Sequence, residues 1–520
     1  MEKFRLSEDI DPNKIFIINR SELEGRIDPN FYKTVNKNIV NKIKKNNFYT
    51  IKDIVRFSSE TWDQKSIFDS EFPYIEISNI DLSDGTIKDV KLIGVKEAPS
   101  RAKMIVRKND IIISTTRPTR GAISIQKNSS IQIASTGFSV IREINEKLFL
   151  REALFHILRL SFVSIQMGQR SSGGNYPAIT QEELGRIVIP AISLSIQEKI
   201  NNIYNKAYTE KQQKETEAQR LLDSIDDYLL GELGITLPKE EEHLPQNTDK
   251  NNSYNLDNDN PLVKKGRLFL TNLSEVTGKR IAPKGYDIKT KLLKSSIDNI
   301  NSKKFIVQPL KSFIIQSIAG NWGIDENEEI EQNEEYQKCL VIRATEFDNQ
   351  YNLNLDNSRV KYRLINKSIL SKIDLKENDL LIEKSGGSPD QPVGRIAIIT
   401  QNIIKNNILC YSNFIHKIRV DNKKINPEYL FCFLKMMHNI RLTEAMQSQT
   451  NGIRNLIMNS YLNQNIVIPI SENGKIDIQK QTEIANRITA IREEAKKLQL
   501  EAFDTLEIAK REIEQMILGN

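Results

Sequence analysis

Two stretches of this chain close on the same phrase, and that duplication restricts the fold more than any other feature. Ile187-Val188-Ile189-Pro190 and Ile466-Val467-Ile468-Pro469 are each followed, after a short polar interval, by a long heptad-patterned segment with an early glutamine, Gln197 or Gln481. In the second segment, from Gln479 to Leu518, the apolar seam is Ile484, Ile488, Ile491, Ala495, Leu498, Ala502, Thr505 and Ala509, in alternating steps of four and three. In the first, Ser195 to Leu230, it is Ile196, Ile200, Ile203 and Ala207, then Ala218, Leu221, Ile225 and Leu229, with Glu210 and Lys214 weakening the centre. The second helix would be roughly 55 to 60 Å long at 1.5 Å per residue, and its stripe needs a partner to cover it. The other helix can be that partner.

The duplication reaches back into the preceding segments. Lys108-Asn109-Asp110 before Ile111-Ile112-Ile113 is matched by Glu377-Asn378-Asp379 before Leu380-Leu381-Ile382. Arg120-Gly121-Ala122-Ile123 is matched by Val393-Gly394-Arg395-Ile396, and Gly137-Phe138-Ser139-Val140 by Asn413-Phe414-Ile415-His416. Polar loops at Gln169 to Asn175 and Gln447 to Asn455 keep the same order, and the offset grows from roughly 269 to 284 as loop insertions would make it. Matches in fixed order define a repeat.

Taken in order, 1–48 is a lysine-rich extension whose residues IFIINR read as a short strand and turn, followed by a helix to Lys45. Residues 49–194 form a first β-rich domain, with strand-like runs at Tyr74 to Ile80, Met104 to Val106, Ile111 to Ile113, Ala122 to Ile125 and Phe138 to Ile141. Helices from Glu146 to about Met167, a glycine-rich loop from Gly168 to Tyr176 and a strand from Arg186 to Pro190 complete it. The first long helix occupies 195–234; a polar, proline-containing linker occupies 235–262 and is too poor in apolar residues to build a core. The second domain then covers 263–478 and the second long helix 479–520. The expected class is α/β of the α+β kind: two mostly antiparallel β-rich domains with helices, related by an internal pseudo-twofold repeat and separated by an antiparallel coiled coil.

A length of 520 residues exceeds what one core supports. No run of 18 apolar residues and no leader pattern is present, so a cytoplasmic location without membrane contact is expected. Cys339, Cys410 and Cys432 are read as buried thiols, and the net charge of +6 fits a polyanionic partner without requiring one.

The resemblance carried by IVIPAISLSIQEKI, IVIPISENGKIDIQKQTEI, KNDIIIS and ENDLLIE is to the specificity subunit of Type I restriction-modification enzymes. It covers nearly the whole chain from Tyr49 to Gly519; the amino-terminal extension and the polar linker depart from the minimal pattern. It implies two target-recognition domains on double-stranded DNA, reading a bipartite and asymmetric target. It also implies docking of two modification (methyltransferase) subunits, and of restriction (translocase-nuclease) subunits. S-adenosylmethionine, ATP and Mg²⁺ would be held by those partners and no cofactor or metal by this chain, which would be non-catalytic.

The residues agree with that division of labour. No glycine-rich methyl-donor loop with an Asn/Asp-Pro-Pro-aromatic motif occurs, and Ser172-Gly173-Gly174 and Ser385-Gly386-Gly387 lack the lysine of a P-loop. Asp379, Glu383 and Lys384 superficially resemble a Mg²⁺ nuclease cluster, yet their repeat counterparts Asp110, Ser114 and Thr115 do not. His156, His243, His416 and His438 are isolated. Reading duplex DNA needs Arg, Lys, Asn and Gln on loops that reach base edges and phosphates. In the first domain these are Arg117, Thr119 and Arg120, with Arg170, Ser171, Ser172, Asn175 and Tyr176; in the second, Lys384, Ser385 and Arg395, with Gln449, Asn451, Arg454 and Asn455. Trp62 and Trp322 read as core lids more readily than as base contacts. Two other functions fit the same pattern: a recognition portion acting with a separate methyltransferase or nuclease of another phage-defence system, and a coiled-coil adaptor without DNA specificity.

Overall fold

The computed structural model describes residues 7, 10–11, 14–25, 27–239, 256–257, 259–264, 267–277, 283–300, 303–325, 335–348, 350–356, 360–388, 391–450 and 452–519. Most of the polar linker, His243 within it, and Asn451 lie outside them. The chain divides into two compact units, one of residues 1–217 with 497–520 and one of residues 218–496.

In the first unit, Ile111–Ser114 lies between Phe138–Ile144 and Ile123–Ile125, and Val55–Phe57 flanks the far side, giving a four-stranded antiparallel sheet. A second sheet has the order Lys91–Gly94, Glu71–Ile75, Gln132–Ser135, Ala102–Val106. Its inner pair is parallel, an exception within the expected mostly antiparallel pattern, and two of its strands, 91–94 and 132–135, lie outside the strand-like runs read from the sequence. The Ile-Pro strand Val188–Pro190 pairs with Phe48–Thr50.

The second unit repeats this order but for one strand. Ile314–Ala319, Ile415–Val420, Leu380–Glu383 and Ile396–Ile398 stand in the same order as their counterparts. Lys361–Asn366, Tyr336–Ile342 and Leu409–Tyr411 form the second sheet with the same parallel pair, and Asn465–Pro469 pairs with Phe305–Pro309. The fourth strand of the first unit's second sheet has no counterpart among the described residues.

The register corrects one sequence match. Ser114 faces Phe138 and Glu383 faces Ile415, so Phe138 corresponds to Ile415 and the phenylalanine pairing with Phe414 is one residue out. One residue of slip reverses a strand's faces. Accordingly Phe138 is 2 % exposed and Phe414 is 50 % exposed.

Residues counted as an amino-terminal extension also join the repeat. Helix Thr34–Lys44 places Ile43 in the first core, as Ile288–Asp298 places Leu293 and Ile297 in the second. The strand expected at IFIINR is absent; 16–19 has no regular structure. The expected helical stretch is two helices, Arg151–Leu158 and Ser161–Arg170, and the latter carries Gln169 and Arg170 out of the glycine-rich loop and into the helix.

The long helices run from Leu194 to Glu232 and from Ile478 to Leu518. They pair antiparallel. In the first unit Ile200, Tyr204 and Ala207 share a core with Leu506, Ala509 and Ile513, and Lys214 Nζ lies 3.0 Å from Glu501. In the second, Ile225 and Leu229 share a core with Ile484, Ala485 and Ile488, and Lys480 pairs with Glu232 at 2.8 Å. Leu506 and Ile513 belong to the seam although the strict heptad passed over them; Lys211, also off the seam, is buried against Asp84.

Candidate nucleic-acid interface

Each candidate surface is built outward from a turn that the sequence encodes tightly. Asn109 and Asn378 take left-handed backbone conformations (φ 70° and 68°), which asparagine tolerates, and the aspartate after each turns back to bond a backbone amide. Asp110 also receives Arg142 at 2.9 Å; Asp379 receives Arg419 at 2.7 Å and Lys417 at 3.3 Å. Arg142 and Arg419 occupy equivalent strand positions, so an aspartate–arginine pair fixes the start of the central strand in both domains. Asp379 is thus held by Arg419 and Lys417, and Glu383 is buried and clasped separately by Arg395 at 2.8 Å.

The early glutamines anchor the long helices. Gln197 is fully buried, accepts from Leu150 N at 2.6 Å and donates to the carbonyls of Leu148 and Ile192 at 3.0 Å. Gln481, equally buried, accepts from Asn426 N at 2.8 Å. In both domains the glutamine thus holds the residues that open the next core helix, Arg151–Leu158 or Pro427–Asn439.

At the far end of the central strand the two loops of each domain come together. In the first, Arg117 N donates to Pro177 O at 2.7 Å and Ile179 N to Thr115 O at 2.9 Å, while Ser172 and Ala178 exchange backbone bonds at 2.8 Å. Gly173, at φ 101°, permits that narrow turn; a Cβ there would sit 3.1 Å from Tyr176 O. Arg117 itself is left-handed (φ 48°), a conformation costing a non-glycine residue about 1–2 kcal/mol, and its guanidinium lies 4.3 Å from the Tyr176 ring centre and 3.3 Å from Asn175 O. Thr119, Arg120, Ser172, Asn175 and Tyr176 are exposed, Tyr176 by 70 %.

In the second domain the same meeting is a small sheet. Ser385–Gly386 pairs with Ile453–Leu456, which forms a hairpin with Gln447–Thr450. Leu456 N donates to Lys384 O at 2.7 Å, the equivalent of the Ile179–Thr115 bond. Gln449 is exposed, and Lys384, Arg454 and Asn455 are half-buried. Ser385 is buried and its hydroxyl bonds Asn455 Oδ1 at 2.6 Å.

Two arginines placed among the reading residues are turned inward. Arg395 gives both ends of its fork to Glu383 and its remaining donors to the carbonyls of Ala344 and Phe347. Arg170, 7 % exposed, joins Glu183 at 2.9 Å and Glu24 at 3.4 Å and lies over the Phe31 ring, tying the amino-terminal arm to the domain. Ser171 bonds the Met167 carbonyl at 2.7 Å and ends the helix. Trp62 is 1 % exposed among Phe68 and Phe72, and Trp322 lies under Arg363; both are core-side residues.

Sequence reasoning missed the arm's contribution to this surface. Beside each loop pair lies a cleft walled by it: one of about 1100 Å³ lined by Glu24, Asp28 and Lys33, and one of about 700 Å³ lined by Lys284, Lys289, Arg441 and Arg454. A signal was available, because Arg26-Ile27-Asp28-Pro29-Asn30-Phe31-Tyr32 is echoed by Arg280-Ile281-Ala282-Pro283-Lys284-Gly285-Tyr286.

Comparison with known proteins agrees with the resemblance read from the sequence. Residues 43–220 match the Type I restriction modification DNA specificity domain. The chain is 27 % identical over 158 residues to the Type I restriction enzyme HindI specificity subunit of Haemophilus influenzae, 30 % of this chain and about a third (33 %) of that relative's length. Among solved structures, the HsdS subunit from Thermoanaerobacter tengcongensis is 18 % identical with a TM-score of 0.34, and the S subunit from M. genitalium 11 % with 0.35. A structure described as underlying complex assembly and conformational transition of the type I R-M system is 20 % identical with 0.42. Each of these three alignments covers 91 % of this chain and 96 % of the other. Among the described residues no helix is long and apolar enough to cross a membrane.

Proposed function

We infer that this chain, whose residues 43–220 carry a Type I restriction modification DNA specificity domain, is the sequence-reading subunit of a Type I restriction-modification enzyme in the cytoplasm. The observation that carries the reading is the recurrence of one loop pairing, with the same backbone bond, at the same end of both β-rich domains. A surface kept in place while its side chains change is what two readers of different sequences require. Register pairs Arg454 with Pro177, Lys384 with Thr115 and Gln449 with Gly173, so the two halves present different donors to base edges. The target is therefore bipartite and asymmetric, and the paired long helices set the gap between its halves.

The chain itself is non-catalytic. Adenine methylation falls to two modification subunits holding S-adenosylmethionine, and translocation and cleavage to restriction subunits using ATP and Mg²⁺.

Mapping methylated adenines in the host genome, with and without the gene for this chain, tests the assignment. One bipartite asymmetric motif should vanish with the gene. Deleting one heptad from each helix should shorten the motif's gap. An unaltered methylation map, or an adaptor's behaviour with no sequence enrichment from random duplexes, would contradict it.

A further inference from the structure

The clefts beside the two reading surfaces differ in charge. In the first domain, Lys33 and Arg170 face Glu24, Asp28 and Glu183, and Arg170 is consumed by two of those carboxylates. In the second, among the described residues, Lys284, Lys289, Arg441 and Arg454 face only Asp287 and Glu444. Asp287 is occupied in capping helix Ile288–Asp298, its carboxylate accepting from Thr290 N at 2.7 Å. Glu444 lies beneath two cations, Lys284 at 3.1 Å and Arg441. Burial works against its charge, but the bonds from Arg441 and Lys284 hold its carboxyl below the ordinary range. Arg441 is kept there in a left-handed conformation (φ 65°), a strained backbone of the sort that persists where the surroundings over-determine it. Lys289 is exposed, and Arg454 projects from the reading hairpin into the same space.

We propose that this second-domain cleft grips the DNA backbone: a phosphodiester flanking the bases met by the Gln447–Thr450 hairpin is held by Lys284 and Lys289 of the arm, with Arg441 behind them. The proposal rests on the reading of the chain as a DNA-specificity subunit, and adds that its two halves bind unequally. The second domain supplies a salt-sensitive anchor that the acidic cleft of the first cannot. Phosphate contacts position without reading sequence.

The test compares duplex binding by the full chain, as purified from its host, with that of a Lys284→Gln/Lys289→Gln variant and a Lys33→Gln control, across a salt series. Each lost phosphate contact flattens the slope of log affinity against log salt by about 0.9, so the double variant should lose roughly tenfold less affinity than the wild type between about 50 and 200 mM salt. It should bind every duplex more weakly with its sequence preference intact, and Lys33→Gln should behave as wild type. An unchanged slope overturns the clamp, and so does altered preference within one half-site, which would make these lysines base readers. A wild-type chain that enriches no sequence contradicts the specificity reading instead, and the slope comparison on that unspecific binding still decides the clamp.

Discussion

The two domains share a strand order, a left-handed asparagine turn, an aspartate–arginine pair and a glutamine anchor, yet they differ wherever a side chain leaves the framework. Asp110 holds one arginine, which Glu60 also shares at 2.9 Å, whereas Asp379 holds two cations, Arg419, which Asp374 also shares at 3.0 Å, and the fully buried Lys417. The first arm is pinned by Arg170 through charge; the equivalent position after the 3-10 turn Leu442–Met446 is the apolar Met446. The difference teaches that the repeat preserves where backbone is held and leaves free which chemistry holds it. Such freedom at a loop surface lets one scaffold present two unlike surfaces.

That contrast predicts unequal responses. The chain's two tryptophans, Trp62 and Trp322, fall one in each domain, so their fluorescence follows the two unfolding transitions separately. Asp379→Asn leaves Arg419 with Asp374 but takes the ion-pair partner from the fully buried Lys417, and should lower the Trp322 transition by about 3–5 kcal/mol in urea. Asp110→Asn leaves Arg142 with Glu60 and should lower the Trp62 transition by about 1–3 kcal/mol. Equal losses would mean that the Lys417–Asp379 pair contributes nothing.

The glutamine anchors come next. Gln197→Ala removes three bonds from buried backbone and should cost about 2–3 kcal/mol; Gln481→Ala, with one bond in the structure, should cost about 1 kcal/mol. The ratio of the two, measured by the same fluorescence, sharpens the comparison, and a reversal would break it.

Acid should separate the domains further. Burial pushes His156 in the first domain down to about 3, and His416 and His438 in the second down to about 4, from 6.5. A folded histidine that resists protonation gives stability that is complete above about 6.5 and is lost as pH falls toward the folded value, because the unfolded chain takes up the proton first. With two such groups, the Trp322 transition should weaken more steeply than the Trp62 transition between pH 6.5 and 4. His438→Gln should flatten it.

Much of this framework was legible in the sequence because it is local. Asn-Asp turns, Ile-Pro strands and heptads leave their mark within a few residues, and their repetition in order disclosed two domains and their pairing helices. What failed was directional. An arginine in a loop reads as a DNA contact whether it faces out or in, and Arg170 and Arg395 prove to be inward because carboxylates distant in sequence, Glu24 and Glu383, await them. The Phe138–Phe414 match failed because letters were matched where strand register decides the face. The seam missed Leu506 and Ile513 because a helix buries a broader stripe where a β-rich domain packs beside its partner.

The claim at the centre of this account is that each loop pair reads its own half of the target. Selection from random duplexes with Asn175→Ala and with Arg454→Ala tests it directly, since both residues sit on their reading surfaces with no side-chain bond among the described residues. The account predicts that each variant relaxes preference at one half-site by about 1–3 kcal/mol, roughly 5- to 150-fold, and that the two variants relax opposite halves. Relaxation of the same half by both, or a uniform loss across all sequences from either, would contradict it.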